Sequence, residues 1–196
     1  MITQENRVIT FSEDSREKIR VGVEKLADAV RVTMGPSGKN VLIEQEEAAP
    51  VLTKDGVTVA RAINLRDRFA NLGVHLVREA AQRTAEEAGD GTTTATVLAC
   101  AIFQEGLKAL AGGHELREIR DGIRSATEDL CQEVQKLSVP VSSDEDLRRV
   151  ANISVNNESG LAELIVQALK AVGNHGTVTV DEAKGFESSL DVVDGC

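Results

Sequence analysis

The run Ala88-Gly89-Asp90-Gly91-Thr92-Thr93-Thr94-Ala95-Thr96 holds the residues of this chain best suited to chemistry. Two glycines bracket a carboxylate, and threonines occupy four of the next five positions. An amphipathic pattern, Phe69 to Glu87, leads into it, and a nearly continuous helical pattern, Val97 to Ala111, leads out. Glycine lets backbone approach a ligand closely, and the amides that open a helix have no partner within it. Such an end attracts phosphate, helped by the helix dipole. A carboxylate beside bound phosphates needs a cation between them, so Asp90 points to Mg²⁺ held jointly with a nucleotide. The plainer alternative is a glycine-terminated helix followed by a threonine N-cap. That alternative uses one glycine and one threonine and leaves the other residues unexplained.

Two further loops share the composition of small residues with a charge. They are Thr33 to Gly38 and Thr53-Lys54-Asp55-Gly56. If all three loops converge, they supply backbone amides, threonine hydroxyls, a lysine and two carboxylates, which is what a nucleotide with its metal requires. Gly35-Pro-Ser-Gly38-Lys39-Asn40 does not complete a P-loop, which needs four residues between its glycines and Ser or Thr after the lysine. No serine is flanked as a nucleophile would be, and a kinase-type glycine loop is absent from the sequence.

The elements that must position these loops follow from periodicity. Ser12 to Ser15 opens a helix whose Ile19, Val23, Leu26, Ala27 and Val30 share a face, and Gly35-Pro36 ends it. Asn40–Glu44 and Pro50–Thr53 read as a hairpin with an acidic tip at Glu44 to Glu47. A short helix spans Val57 to Ile63. The next, long one places Phe69, Leu72, Leu76, Ala80 and Thr84 on one face. Leu116, Ile119, Ile123, Leu130, Val134 and Leu137 mark another, and Ser138-Val139-Pro140 ends it like a boundary. Beyond come shorter helices, Ser143–Ile153 and Ser159–Val172, a turn at Gly173–Gly176, and strands at Thr177–Asp181 and Leu190–Val193. The fold class expected is mainly α with small β elements, α+β.

Composition narrows the function. A formal charge of −10 disfavours general nucleic-acid binding and anionic membranes. With four Phe and neither Trp nor Tyr, the core must come from Leu, Ile, Val and Ala. Cys100, Cys131 and Cys196 are odd in number and scattered, as are His75, His114 and His175, so neither a zinc site nor a disulfide framework is expected. The first residues lack the apolar core of a signal peptide, and no apolar run approaches the roughly 18 residues of a membrane span. The expectation is a cytoplasmic protein.

Thr33-Met-Gly-Pro-Ser-Gly38, Thr53-Lys-Asp-Gly-Val57 and Gly89-Asp-Gly-Thr-Thr-Thr-Ala-Thr96, in this order and separation, resemble the signature loops of the group I chaperonins, the GroEL type. Leu26–Val30, Leu137–Pro140, Ile153-Ser154 and Leu190–Gly195 agree as well, so the resemblance runs from Phe11 to the last residue. It implies a first equatorial, ATP-binding segment over 1–139, a first intermediate segment over 140–194 and the start of an apical domain at 195–196. It further implies that the remaining apical, intermediate and equatorial sequence, with the family's principal catalytic aspartate, follows Cys196. By motif, Thr33, Met34, Gly35 and Pro36 contact ATP and Lys54 lies near it. Asp90 holds Mg²⁺, with K⁺ as a possible second cation. Gly91, Thr92, Thr93 and Thr94 wrap the phosphates, Asp55 positions or deprotonates the attacking water, and Ile153 lines the adenine side. The implied activity is ATP-driven protein folding in stacked rings of subunits, with a co-chaperonin lid and unfolded clients as partners. The alternative is a chaperonin-derived module that binds nucleotide or full-length subunits without turnover. His114-Glu115-Leu116 and Arg120-Asp121 depart from the family pattern of Met-Asn-Pro and Lys-Arg, away from the nucleotide loops.

Overall fold

A computed structural model describes residues 12–45, 48–173, 176–181, 185 and 188–193 of the chain. The order of elements is α1 (Ser12–Arg31), β1 (Val41–Ile43), β2 (Val51–Thr53), α2 (Gly56–Ala62), α3 (Arg68–Ala88), α4 (Thr92–Ala111), α5 (Leu116–Leu137), α6 (Asp144–Ser154) and α7 (Ser159–Val172). This is the mainly α fold with a small β element that the periodicities call for. The chain forms two compact units, residues 1–126 and 127–196, whose division falls within α5. The expected boundary at Pro140 lies inside the second unit.

The first unit is built on α1. Its Val23, Leu26, Ala27 and Val30 are buried with Val59 and Ala60 of α2, Val74 and Val77 of α3 and Cys100 of α4. Each of the Val and Leu side chains in this set contributes about 1.5–3 kcal/mol on leaving water. α1 and α3 cross backbone to backbone. A Cβ on Gly22 would stand 1.8 Å from the Ala70 carbonyl oxygen, and one on Gly73 2.2 Å from that of Ile19. This crossing overturns the face expected for α3. The buried residues are Ala70, Gly73, Val74, Val77 and Ala81, whereas Leu72 and Leu76 are 49% and 59% exposed. Helices this close admit only small residues between them, so the larger leucines are displaced to the side.

β1 and β2 pair antiparallel with Leu42 opposite Leu52, and Val41 and Ile43 rest against the α1 core. Glu46 and Glu47 of the expected acidic tip lie outside the described residues. α4 begins at Thr92, not Val97, so the threonines form its first turn. By length and composition α4 could cross a membrane, contrary to expectation. Its polar Gln104, however, donates to Glu24 of α1 at 2.8 Å, and Thr96 and Cys100 are buried. None of the residues of α5 is buried.

In the second unit Ser143 and Asp146 form a reciprocal cap that starts α6. Ala151, Ala162 and Val166 make a small core between α6 and α7. Arg148–Glu163 at 2.9 Å and Lys170–Asp144 at 2.5 Å join the two helices at the surface. The described parts of 177–181 and 190–193 carry no strand, against expectation. A strand exists only by pairing, and no ladder joins these residues to any described neighbour. His175 and the Asp194-Gly195-Cys196 ending lie outside the described residues.

The crossing gives a direct test. Gly73→Ala must separate α1 from α3, and over-packing of this kind costs about 1–3 kcal/mol. Gly122, inside α5, has no atom within 4 Å of its would-be Cβ, so Gly122→Ala is expected to stabilise by about 0.5–1 kcal/mol. Urea unfolding of the two variants, side by side, should move in opposite directions.

Candidate functional site

The loop after α1 is shaped by its own hydrogen bonds. The amides of Thr33 and Met34 donate to Val30 and Arg31, Gly38 to Gly35 at 3.0 Å, and Lys39 to Val32 at 2.8 Å. Gly35 sits at φ 72°, a left-handed conformation that suits glycine. Thr33 is buried and its hydroxyl donates to the Val30 carbonyl at 2.8 Å. Met34, Gly35 and Pro36 are exposed around it.

The loop after β2 becomes the start of α2. Asp55 is the N-cap. Its carboxylate accepts from the Val57 amide at 3.2 Å, the Thr58 amide at 2.7 Å and the Thr58 hydroxyl at 2.6 Å. Partial burial works to raise its pKa, but the Thr58 and Val57 hydrogen bonds, with Arg61 nearby, outweigh it and hold the carboxyl below its usual range. A carboxylate held this way is a poor base and a good fixed acceptor. Lys54 is half-buried and makes no hydrogen bond or ion pair among the described residues.

The third loop joins α3 to α4. Gly89 at φ 72° ends α3 and Gly91 at φ 84° starts α4, with Asp90 exposed between them. A side chain at either glycine costs about 1–2 kcal/mol. The Gly91 amide donates to the Asp90 carboxylate at 2.6 Å. The helix opened by Gly91 has no side-chain cap. The alternative of a threonine N-cap is therefore wrong: Thr92, Thr93 and Thr94 are helical, and the amides of that first turn are left for an outside acceptor. Thr96 instead donates back to the Thr92 carbonyl at 2.8 Å, a bond common to threonines within helices.

The three loops converge on Thr93. Its hydroxyl lies 3.4 Å from that of Thr33, and because Thr33 donates to Val30, Thr93 is the donor of this pair. Gly56 packs so closely that a Cβ would stand 2.1 Å from the same Thr93 hydroxyl oxygen and 3.2 Å from Val30. The structure thus brings Thr33, Gly56 and Thr93 together. Lys54 and Asp55 adjoin Gly56, and Asp90 and Gly91 open the helix that carries Thr93. Ile153 lies on α6, in the second unit, and is 70% exposed.

Among the described residues no three His, Cys, Asp or Glu side chains gather as a metal cage. A single exposed carboxylate is the donor set of Mg²⁺, which dehydrates reluctantly and is held through one or two carboxylates, phosphate oxygens and water. The residues fit a cation that arrives with a phosphate ligand.

The sequence did not disclose the Gly56–Thr93 contact. A glycine at the first position of a seven-residue helix was its only trace. Arg78 gave none. Its guanidinium donates to the Ala60 carbonyl at 3.0 Å and to that of Ile63, across the end of α2.

Residues 26–194 match the model of the TCP-1/cpn60 chaperonin family. Among solved structures the chain is similar to a group III chaperonin in the open state, with 26% identity and a TM-score of 0.66 over 81% of this chain and 32% of that one. It is also similar to chaperonin gp146 of bacteriophage EL 2 (Pseudomonas aeruginosa), whose structure was determined in the presence of ATP-BeFx. Here identity is 30% and the TM-score 0.67, over 83% of this chain and 29% of that one. The chain spans about a third of the length of these solved relatives.

The state of Asp55 sets a pH dependence. Its folded pKa lies below the unfolded one, so its stabilisation is complete above the unfolded value and lost as pH falls through the folded value. Asp55→Ala should cost about 1 kcal/mol at neutral pH, the worth of an N-cap. Urea unfolding of wild type and variant should show that gap narrowing as the pH is taken below about 4, the ordinary aspartate value.

Proposed function

The chain belongs to the TCP-1/cpn60 chaperonin family, and from that premise we propose that its first unit holds the nucleotide site of an ATP-dependent chaperonin subunit. The observation that carries this reading is the convergence of the three loops on Thr93, beside a glycine-started helix whose first turn has no side-chain cap. The bound nucleotide supplies the phosphoanhydride bond, and its Mg²⁺ neutralises charge on the phosphates. Gly91 to Thr94 wrap the phosphates: the open amides of Thr92 to Thr94 and the hydroxyls of Thr92 and Thr94 bind phosphate oxygens, aided by the positive end of the 20-residue α4. Asp90 holds the cation, and Lys54 offsets remaining negative charge. Thr33, Met34, Gly35 and Pro36 line the nucleotide from α1. Asp55 orients the attacking water by accepting a hydrogen bond rather than by taking its proton, because its carboxylate is held in the ionised, weakly basic state.

The loop motifs favour the group I, GroEL-type branch. On that reading residues 1–139 are the first equatorial segment and 140–194 the first intermediate segment of a cytoplasmic ring subunit. Its co-chaperonin and client contacts belong to an apical domain. A second reading is a module that associates with complete subunits and hydrolyses nothing. Exposed Leu98 and Ile102 on α4, and Leu116, Leu130, Val134 and Leu137 on α5, support it, since open apolar helix faces favour association.

Calorimetric titration of Mg-ATP into the chain tests the site. Binding is expected and should fall at least tenfold in Asp90→Ala and in Gly56→Val, whose side chain forces α2 away from Thr93. Equal affinity in wild type and both variants would remove the assignment. Binding without turnover, with co-purification of complete subunits, selects the second reading.

A further inference from the structure

α2 is too short to hold itself. Seven residues make about two turns, well below the length at which a helix is stable alone. Its ends must be fixed from outside. At the start Asp55 caps the Val57 and Thr58 amides. The last carbonyls of any helix lack partners within it. Here a side chain from another helix takes them: Arg78 of α3 donates through Nε to Ala60 at 3.0 Å and through Nη2 to Ile63. A cation at this end also suits the helix dipole. Burial works against the charged form of the guanidinium, which arginine still retains. Val59 and Ala60 are buried between these two fastenings.

The same α3 that carries Arg78 runs on into Gly89, Asp90 and Gly91. One helix therefore bears both the cation-holding loop and the clamp on α2. At about 1.5 Å per residue, α2 is roughly 10 Å long, and a tilt or slip at its end is transmitted to Gly56 and Asp55 at its start.

We propose that Arg78 is a positioning residue of the nucleotide site: by gripping the Ala60 and Ile63 carbonyls it sets where Asp55 and Gly56 stand against Thr93. This rests on the nucleotide reading given above. A misplacement of about 1 Å in such a site is enough to cost a large factor in function. A purely stabilising arginine would lower the unfolding midpoint without acting on the far end of α2.

The test compares Arg78→Gln and Arg78→Lys in the whole chain. Three quantities are read: amide exchange at Val57 and Thr58, the Mg-ATP dissociation constant, and the unfolding midpoint. Arg78→Gln is expected to speed exchange at both amides at least fivefold and weaken Mg-ATP binding about tenfold. Arg78→Lys, which keeps one charged donor, should recover part of each loss. In an Asp55→Ala background, where the start of α2 is already released, Arg78→Gln should weaken binding less than twofold more. A lowered midpoint with unchanged exchange and affinity overturns the proposal, as do losses that multiply in the double variant. If Arg78→Gln does not fold, Arg78→Lys decides alone by the same readouts. If the wild type binds no Mg-ATP, the nucleotide reading fails separately. Exchange at Val57 and Thr58 then still decides whether Arg78 governs the start of α2.

Discussion

Gly56 rests its α-carbon against the Thr93 hydroxyl with no room for a methyl group. That contact sets the distance between the start of α2 and the first turn of α4. Thr33 touches the same threonine from the end of α1. Three chain segments separated by long stretches of sequence thus share one reference point. The consequences are chemical. Free helix amides, a carboxylate held ionised, an exposed carboxylate and a lysine lie on or beside the segments that meet there. None of them sits in a regular element's interior, so their positions depend on how closely the supporting helices approach.

That approach originates in the core. α1 and α3 meet through Gly22 and Gly73 with backbone almost touching backbone, and the aliphatic face of α1 gathers α2 and α4 around it. α3 then delivers the Gly89-Asp90-Gly91 turn, whose two left-handed glycines reverse the chain into α4. Left-handed glycine at Gly91 has a second effect. A serine or aspartate there would satisfy the helix amides itself, whereas glycine leaves them open. Fold and site therefore use glycine for opposite purposes: close packing at positions 22, 56 and 73, and open backbone at position 91.

Much of this was legible in the sequence. The apolar spacing of α1 names the buried residues Val23, Leu26, Ala27 and Val30, and the shared composition of the three small-residue loops raises the meeting now seen at Thr33, Gly56 and Thr93. Hydrophobicity alone favours Leu72 and Leu76 as the buried face of α3, while a close crossing selects Gly73 and Ala70 by size. The helical pattern sets in only at Val97 because β-branched hydroxyl residues are weak helix formers, yet a first turn tolerates them and α4 starts at Thr92. The 177–181 and 190–193 segments alternate as strands do, but alternation states only what a strand would look like if a partner lay beside it. Contacts such as Arg78 with the Ala60 carbonyl join residues by shape across helices and leave no periodic trace.

On the proposed function the loops at Thr33, Gly56 and Thr93 act as one site. Titration of the chain with Mg-ADP, followed through the amide resonances of Thr33 to Gly35, Ser37, Gly38, Gly56 and Thr92 to Thr94, tests this. All three groups should shift together with a single dissociation constant. Shifts confined to one loop, or loops that respond with different constants, would contradict it.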